Sequence, residues 1–172
     1  MDEWVEIRIK KVVGPMHQGT AVFLGNDDKT FVMFIGSAEG SALMRQLNDE
    51  EPVRPFTHEL LWSILVGFNV SVKKVVISDL VNTTFCATLI LEQPVVDEGE
   101  QWVGKRNEVR IDARPSDCLV LASKAGIPIF CARNVLDNVD DATRVKDGAD
   151  EKPSASADFL SAIWDEPDED GK

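Results

Sequence analysis

Apolar and charged positions alternate at the start of the chain. In "WVEIRIKKV", Val5, Ile7 and Ile9 fall on one side and Glu6, Arg8 and Lys10 on the other, which predicts a half-buried strand. "GTAVFLG" and "KTFVMFIG" flank Asn26-Asp27-Asp28 and predict a β-hairpin with a polar turn. The spacing then changes to that of a helix. "SAEGSALMRQLND" brings Ala38, Ala42, Leu43 and Leu47 together, with Gly40 in its interior weakening it by about 1 kcal/mol. A second helix starts near Thr57 and aligns Leu60, Leu61, Ile64, Leu65 and Phe68 in one apolar stripe.

Two β-branched segments, "VSVKKVVISDL" and "TTFCATLILEQ", predict a strongly bonded antiparallel pair. "PVVDEGEQWVGKR" is polar throughout and predicts an exposed connection. "NEVRIDA" predicts a strand and residues 116–125 a third helix, ended by Gly126 and followed by Pro128. "IPIFCARNVL" closes the domain with a strand and a short helical turn. The element order predicts an α+β domain: a mixed, largely antiparallel sheet with about three helices over residues 1–139. Residues 140–172 turn acidic and small, which predicts a disordered tail. Within it, Phe159, Leu160, Ile163 and Trp164 give residues 157–166 an amphipathic helical pattern.

Charge modifies this picture only in part. The formal net charge is -12, but residues 137–172 hold 12 of the 30 acids and 4 of the 18 bases, so residues 1–136 are mildly acidic. Small basic clusters such as Lys73-Lys74 and Lys105-Arg106 survive there, and nucleic acid stays among the candidate partners. The tail is expected to compete with nucleic acid for such a surface. Cys86, Cys118 and Cys131 sit in apolar runs with no CxxC, which predicts buried free thiols and neither a disulfide framework nor a zinc site. No run approaches the roughly 18 apolar residues of a membrane span, and no export signal is visible, so a cytoplasmic protein without a membrane partner is expected.

Two stretches carry chemistry. "RPFTHELL" and "RPSDCLVL" both place Arg-Pro just before a helix with an early acid. Proline suits a first helical turn, Thr57 and Ser116 suit N-caps, and Glu59 and Asp117 suit the positive end of the helix dipole. Arg54 and Arg114 do not, since a cation has the wrong sign for that end. They call for a negative partner, either a carboxylate of the chain such as Asp112 or Asp117, or an external phosphate. His58, one of two histidines, stands at the same kind of junction and has the side chain most suited to proton transfer near neutral pH. His17 lies in a polar turn and has less to recommend it. Glu39, Glu59, Asp79, Asp112 and Asp117 could serve as hard oxygen ligands for Mg²⁺ or Mn²⁺. The absence of GxGxxG, P-loop, GxSxG and HExxH disfavours a Rossmann enzyme, an NTPase, a serine hydrolase and a zinc protease, and no organic cofactor is expected.

These motifs resemble those of the bifunctional nuclease domain family over about residues 5–138. The family's Ile-Gly-x-x-Glu-Ala helix appears here as Ile35-Gly36-Ser37-Ala38-Glu39-Gly40. Its Arg-Pro-x-Thr-His-Asp appears as Arg54-Pro55-Phe56-Thr57-His58-Glu59, and its Asp-Ala-Arg-Pro-Ser-Asp-Ala as Asp112-Ala113-Arg114-Pro115-Ser116-Asp117-Cys118. Gly40 stands where alanine is usual, Glu59 replaces aspartate, and the turn at Val81-Asn82-Thr83 lacks the usual Asp-Gly. The resemblance implies an α+β domain that self-associates and acts on DNA and RNA, but it carries over no catalytic set. The residues themselves suggest His58 as general acid or base and Glu59, Asp112 and Asp117 as further catalytic groups. Asp112 and Asp117 would be metal ligands or orienters, Arg54 and Arg114 phosphate clamps, and Thr57 and Ser116 substrate contacts. A non-catalytic module that binds an anion or a partner through structural Arg-Pro helix starts is the competing reading.

Overall fold

The computed structural model describes residues 3–16, 19–96, 99 and 101–142. His17 and the tail from 143 onwards, with its amphipathic segment, lie outside the described residues. The elements run β1 (Trp4–Met16), β2 (Gly19–Gly25), β3 (Thr30–Ile35), α1 (Ser37–Leu47), α2 (Thr57–Gly67), β4 (Ser71–Val81), β5 (Thr84–Val96), β6 (Trp102–Ala113), α3 (Pro115–Ala125), β7 (Ile129–Ala132) and α4 (Arg133–Asn138). The strands form one sheet in the order β3-β2-β1-β7-β4-β5-β6. Only the β4–β7 pair is parallel, so the α+β, mixed and largely antiparallel fold is as the sequence implied.

Side-chain alternation gives this sheet two unlike faces. Val75 and Ile77 of β4 and Ala87 and Leu89 of β5 join the main core with Leu43 of α1 and Leu119 to Ala122 of α3. The helices α1 and α3 pack on each other above this face. α3 is the most enclosed helix, with Ser116 and every residue from Cys118 to Ala122 buried. It ends where Gly126 enters the left-handed region at φ 62°, a conformation that costs glycine least. Burial pushes the Cys118 thiol up to about 12 and the Cys131 thiol up to about 11, so neither is a nucleophile near neutral pH. Cys86 is only half-buried, which departs from the expectation of three buried thiols.

Three local expectations need correction. Residues 94–96 and 102–106 are strand and not connection, for β5 and β6 stay paired out to Val96↔Trp102. A ribbon at the edge of a sheet closes its backbone hydrogen bonds without needing apolar side chains, so its polar sequence resembled a loop. Second, Thr57 and Ser116 are not N-caps. They lie inside α2 and α3, whose N-caps are Phe56 and Arg114. Third, the apolar stripe of α2 meets the core only through Leu65. Leu60, Leu61, Ile64 and Phe68 are exposed, and the side turned inward carries Glu59, with Trp62 and Leu65 partly buried against the core.

Among the described residues, no helix is long and apolar enough to cross a membrane.

Candidate active site at the paired helix starts

The first turns of α1, α2 and α3 meet at one point of the surface. Each contributes one titratable side chain to the meeting point: Glu39 from α1, His58 from α2 and Asp117 from α3. Arg114, the residue that caps α3, ties them together. Its Nε donates to Asp117 Oδ2 at 2.9 Å and its Nη2 to Asp117 Oδ1 at 3.1 Å, a two-pronged pairing that suits the planar guanidinium. Its Nη1 donates to Glu39 Oε1 at 2.7 Å. The negative partner that Arg114 requires is thus supplied by two carboxylates of the chain itself. Asp112, also considered for that part, does not supply it.

His58 closes the cluster. Its Nε2 lies 2.9 Å from Asp117 Oδ1, across 59 positions of sequence, so the two Arg-Pro helix starts join in space. Burial works to raise the Asp117 carboxyl, but the hydrogen bonds and charges of Arg114 and His58 outweigh it and hold the group below its ordinary value. Asp117 is therefore ionised near neutral pH and accepts only. A neutral His58 must then carry its proton on Nε2, which leaves the lone pair on Nδ1. No hydrogen bond to Nδ1 occurs among the described residues. The His58 side chain is 12% exposed, whereas that of Arg114 is 65% exposed. Ion pairs this wet contribute little to stability, and their effect here is to fix geometry.

The lowered Asp117 pKa has a sign that can be tested. Its stabilisation is complete above the pKa of an unfolded aspartate, about 3.9, and is lost as pH falls through the lower folded value. The thermal midpoint of the wild type is expected to exceed that of Asp117→Asn at pH 7 by a margin that shrinks steadily below pH 4. A margin that stays constant down to pH 2 would contradict the assignment.

Other predicted site residues are placed differently. Glu59 is buried, and its carboxylate accepts the Phe56 N–H at 3.0 Å and the Gln46 amide at 3.1 Å, so it closes the first turn of α2. Thr57 is exposed at the first position of α2, and Ser116 is buried in the first turn of α3. Arg54 is exposed and makes no ion pair among the described residues. Asp112 is separated from His58 and Asp117 by the sheet. It follows the strand alternation to the opposite face, where it lines a depression with Thr88, Arg110 and Trp4. Two contributors escaped the sequence reading. Gln46 steadies Glu59, and Gly36 leaves room for Glu39, since a Cβ there would meet Glu39 Oε2 at 2.3 Å. The Ile-Gly-x-x-Glu spacing was the available signal for Gly36.

The model of the bifunctional nuclease domain matches residues 22–143, a stretch that contains Glu39, His58, Arg114 and Asp117. The chain belongs to that family. Two proteins from two strains of Mycobacterium tuberculosis, both named only as uncharacterized, are each 30% identical to it over 134 residues, covering 76% of this chain and 73% of theirs. For a bifunctional nuclease domain, the meeting of three helix starts around a histidine and two carboxylates is the natural place to look for nuclease-related chemistry.

Proposed function

We propose that this protein hydrolyses phosphodiester bonds of DNA and RNA at the Glu39–Arg114–Asp117–His58 cluster. The observation that carries this reading is the 2.9 Å contact of His58 with Asp117, which leaves a histidine with one nitrogen held and the other open. Water attacks phosphorus while His58 Nδ1 takes its proton. The bond to the leaving oxygen breaks, and that oxygen takes a proton from the imidazolium or from solvent. The route needs no 2′-hydroxyl and serves DNA and RNA alike. Arg114 spends three of its five N–H donors on Asp117 and Glu39. The remaining two are available to a phosphate oxygen, where they would offset charge developing in the transition state.

A Mg²⁺ or Mn²⁺ ion bound here would have to share the Asp117 and Glu39 carboxylates with Arg114, and would supply Lewis-acid activation of the phosphate and its water. Among the described residues no group of three His, Cys, Asp or Glu side chains forms a metal-binding cluster, so water and the substrate's own oxygens would complete such a site. Asp112, on the far face of the sheet, is not a ligand in this scheme. The functional unit is taken to be a homo-oligomer, in keeping with the family resemblance, and cytoplasmic, in keeping with the sequence reading.

One observation favours the alternative of a non-catalytic module. Arg114 is already paired with carboxylates, as a purely structural arginine would be. The two readings part in a simple test. On the nuclease reading, the intact chain cleaves a labelled oligonucleotide and Asp117→Asn slows cleavage by up to about 10⁴-fold, as expected when a histidine loses its orienting carboxylate. An unchanged rate in Asp117→Asn, with the same fold by circular dichroism, contradicts it.

A further inference from the structure

We propose that the outer face of α2 is the surface on which a second copy of this chain docks, through its own α2. The proposal rests on the self-association part of the reading above and names the surface responsible.

Phe56, Leu60, Ile64 and Phe68 recur at every fourth position and form one ridge along the helix, each about half exposed or more, with Leu61 beside them. Val53, fully exposed, precedes the ridge in the chain. Taking such side chains at about 150–250 Å² when fully accessible, these six residues present roughly 700 Å² to solvent. That exceeds the roughly 300–600 Å² of the largest apolar patch on a typical monomer and approaches the roughly 800 Å² that each partner buries in a standard interface.

The face also restricts its occupant. No charged residue lies between Leu60 and Phe68, and the two ionisable groups of the helix, His58 and Glu59, turn inward. Cations edge the face only at its N-terminal end, where Arg45 lies over the Phe56 ring and Arg54 is exposed, so a phosphate backbone would find none along the ridge from Leu60 to Phe68. A ridge of residues four apart packs into the groove beside an identical ridge, so the face is complementary to itself about a two-fold axis. Each copy carries a net charge of -12, which opposes approach until salt screens it. Association through α2 is therefore expected to tighten with added salt, the reverse of nucleic-acid binding. The apolar residues of the tail, Phe159, Leu160, Ile163 and Trp164, are the rival occupant. Docked on their own chain they would leave a particle of one chain.

Sedimentation equilibrium of the full chain at 50 and 500 mM salt tests this. The expected result is a dimer, twice 19.0 kDa, with a dissociation constant that falls as salt rises. Ile64→Glu and Phe68→Glu should each raise that constant at least tenfold with unchanged circular dichroism. Val81→Glu, at the exposed apolar end of β4, should leave it alone. A monomer at every concentration overturns both self-association and this surface. An oligomer that persists in both α2 variants overturns the surface alone.

Discussion

Replacing His58 with alanine is expected to slow phosphodiester cleavage by about 10²–10⁴-fold while leaving the fold intact. The size of the effect follows from the isolation of this imidazole. Among the described residues, the Glu39–Arg114–Asp117 arrangement holds no second imidazole, and the thiol nearest in sequence, Cys118, is buried and pushed up to about 12. The structural cost is bounded because the side chain contributes one hydrogen bond to a charged group, worth about 1.5–3 kcal/mol, and α2 is held by Trp62, Leu65 and the Glu59 contacts regardless. For a chain of this size that shifts the midpoint of unfolding by about 3–12 °C. Added imidazole should restore part of the rate if the lost group moves a proton. It should restore none if His58 merely supports Asp117.

The second large effect concerns stability. Gly40→Ala is expected to destabilise the protein by about 1–3 kcal/mol, although alanine is the better helix former by up to about 1 kcal/mol. A Cβ on Gly40 would meet Thr20 Oγ1 at 2.1 Å, its Cβ at 2.5 Å and its Cγ2 at 2.9 Å. Thr20 is buried in β2, and rotating its side chain moves Oγ1 and Cγ2 but not Cβ. α1 must therefore rise off the sheet, taking Glu39 with it. Thr20→Ala keeps the offending Cβ and should not restore stability. Thermal unfolding of Gly40→Ala decides the matter, and a midpoint equal to or above wild type would mean that the helix accommodates the methyl. Here the sequence reading had only the cost of glycine in a helix. The close approach of α1 to β2 makes glycine the residue that fits.

Most strands were legible because their apolar positions keep a period of two, and α3 because Arg-Pro and Gly126 bracket it. The stripe on α2 was also real, but periodicity reports only that a face seeks apolar company and not which surface supplies it. The cap positions were displaced by one or two residues because Pro115 takes the first turn of α3, and the role of cap falls to Arg114. At the site, the shared Arg-Pro motif pointed to His58, Arg114 and Asp117, and the structure brings all three together. Asp112 was misplaced for a reason the strand itself contained. Ala113 faces the helices, so the alternation already sent Asp112 the other way. Glu59 was counted among the catalytic groups, yet the third position of a helix is where a carboxylate turns back to the chain's own N–H.

The central claim, that His58 moves the proton in phosphodiester hydrolysis, is tested most directly by one rate comparison. Wild type and His58→Ala, purified side by side, would be given labelled single-stranded DNA and the matching RNA, each with Mg²⁺, Mn²⁺ or chelator. The account predicts cleavage of both substrates by wild type and a rate about 10²–10⁴-fold lower in the variant. Equal rates in the two proteins, or no cleavage by either, would contradict it.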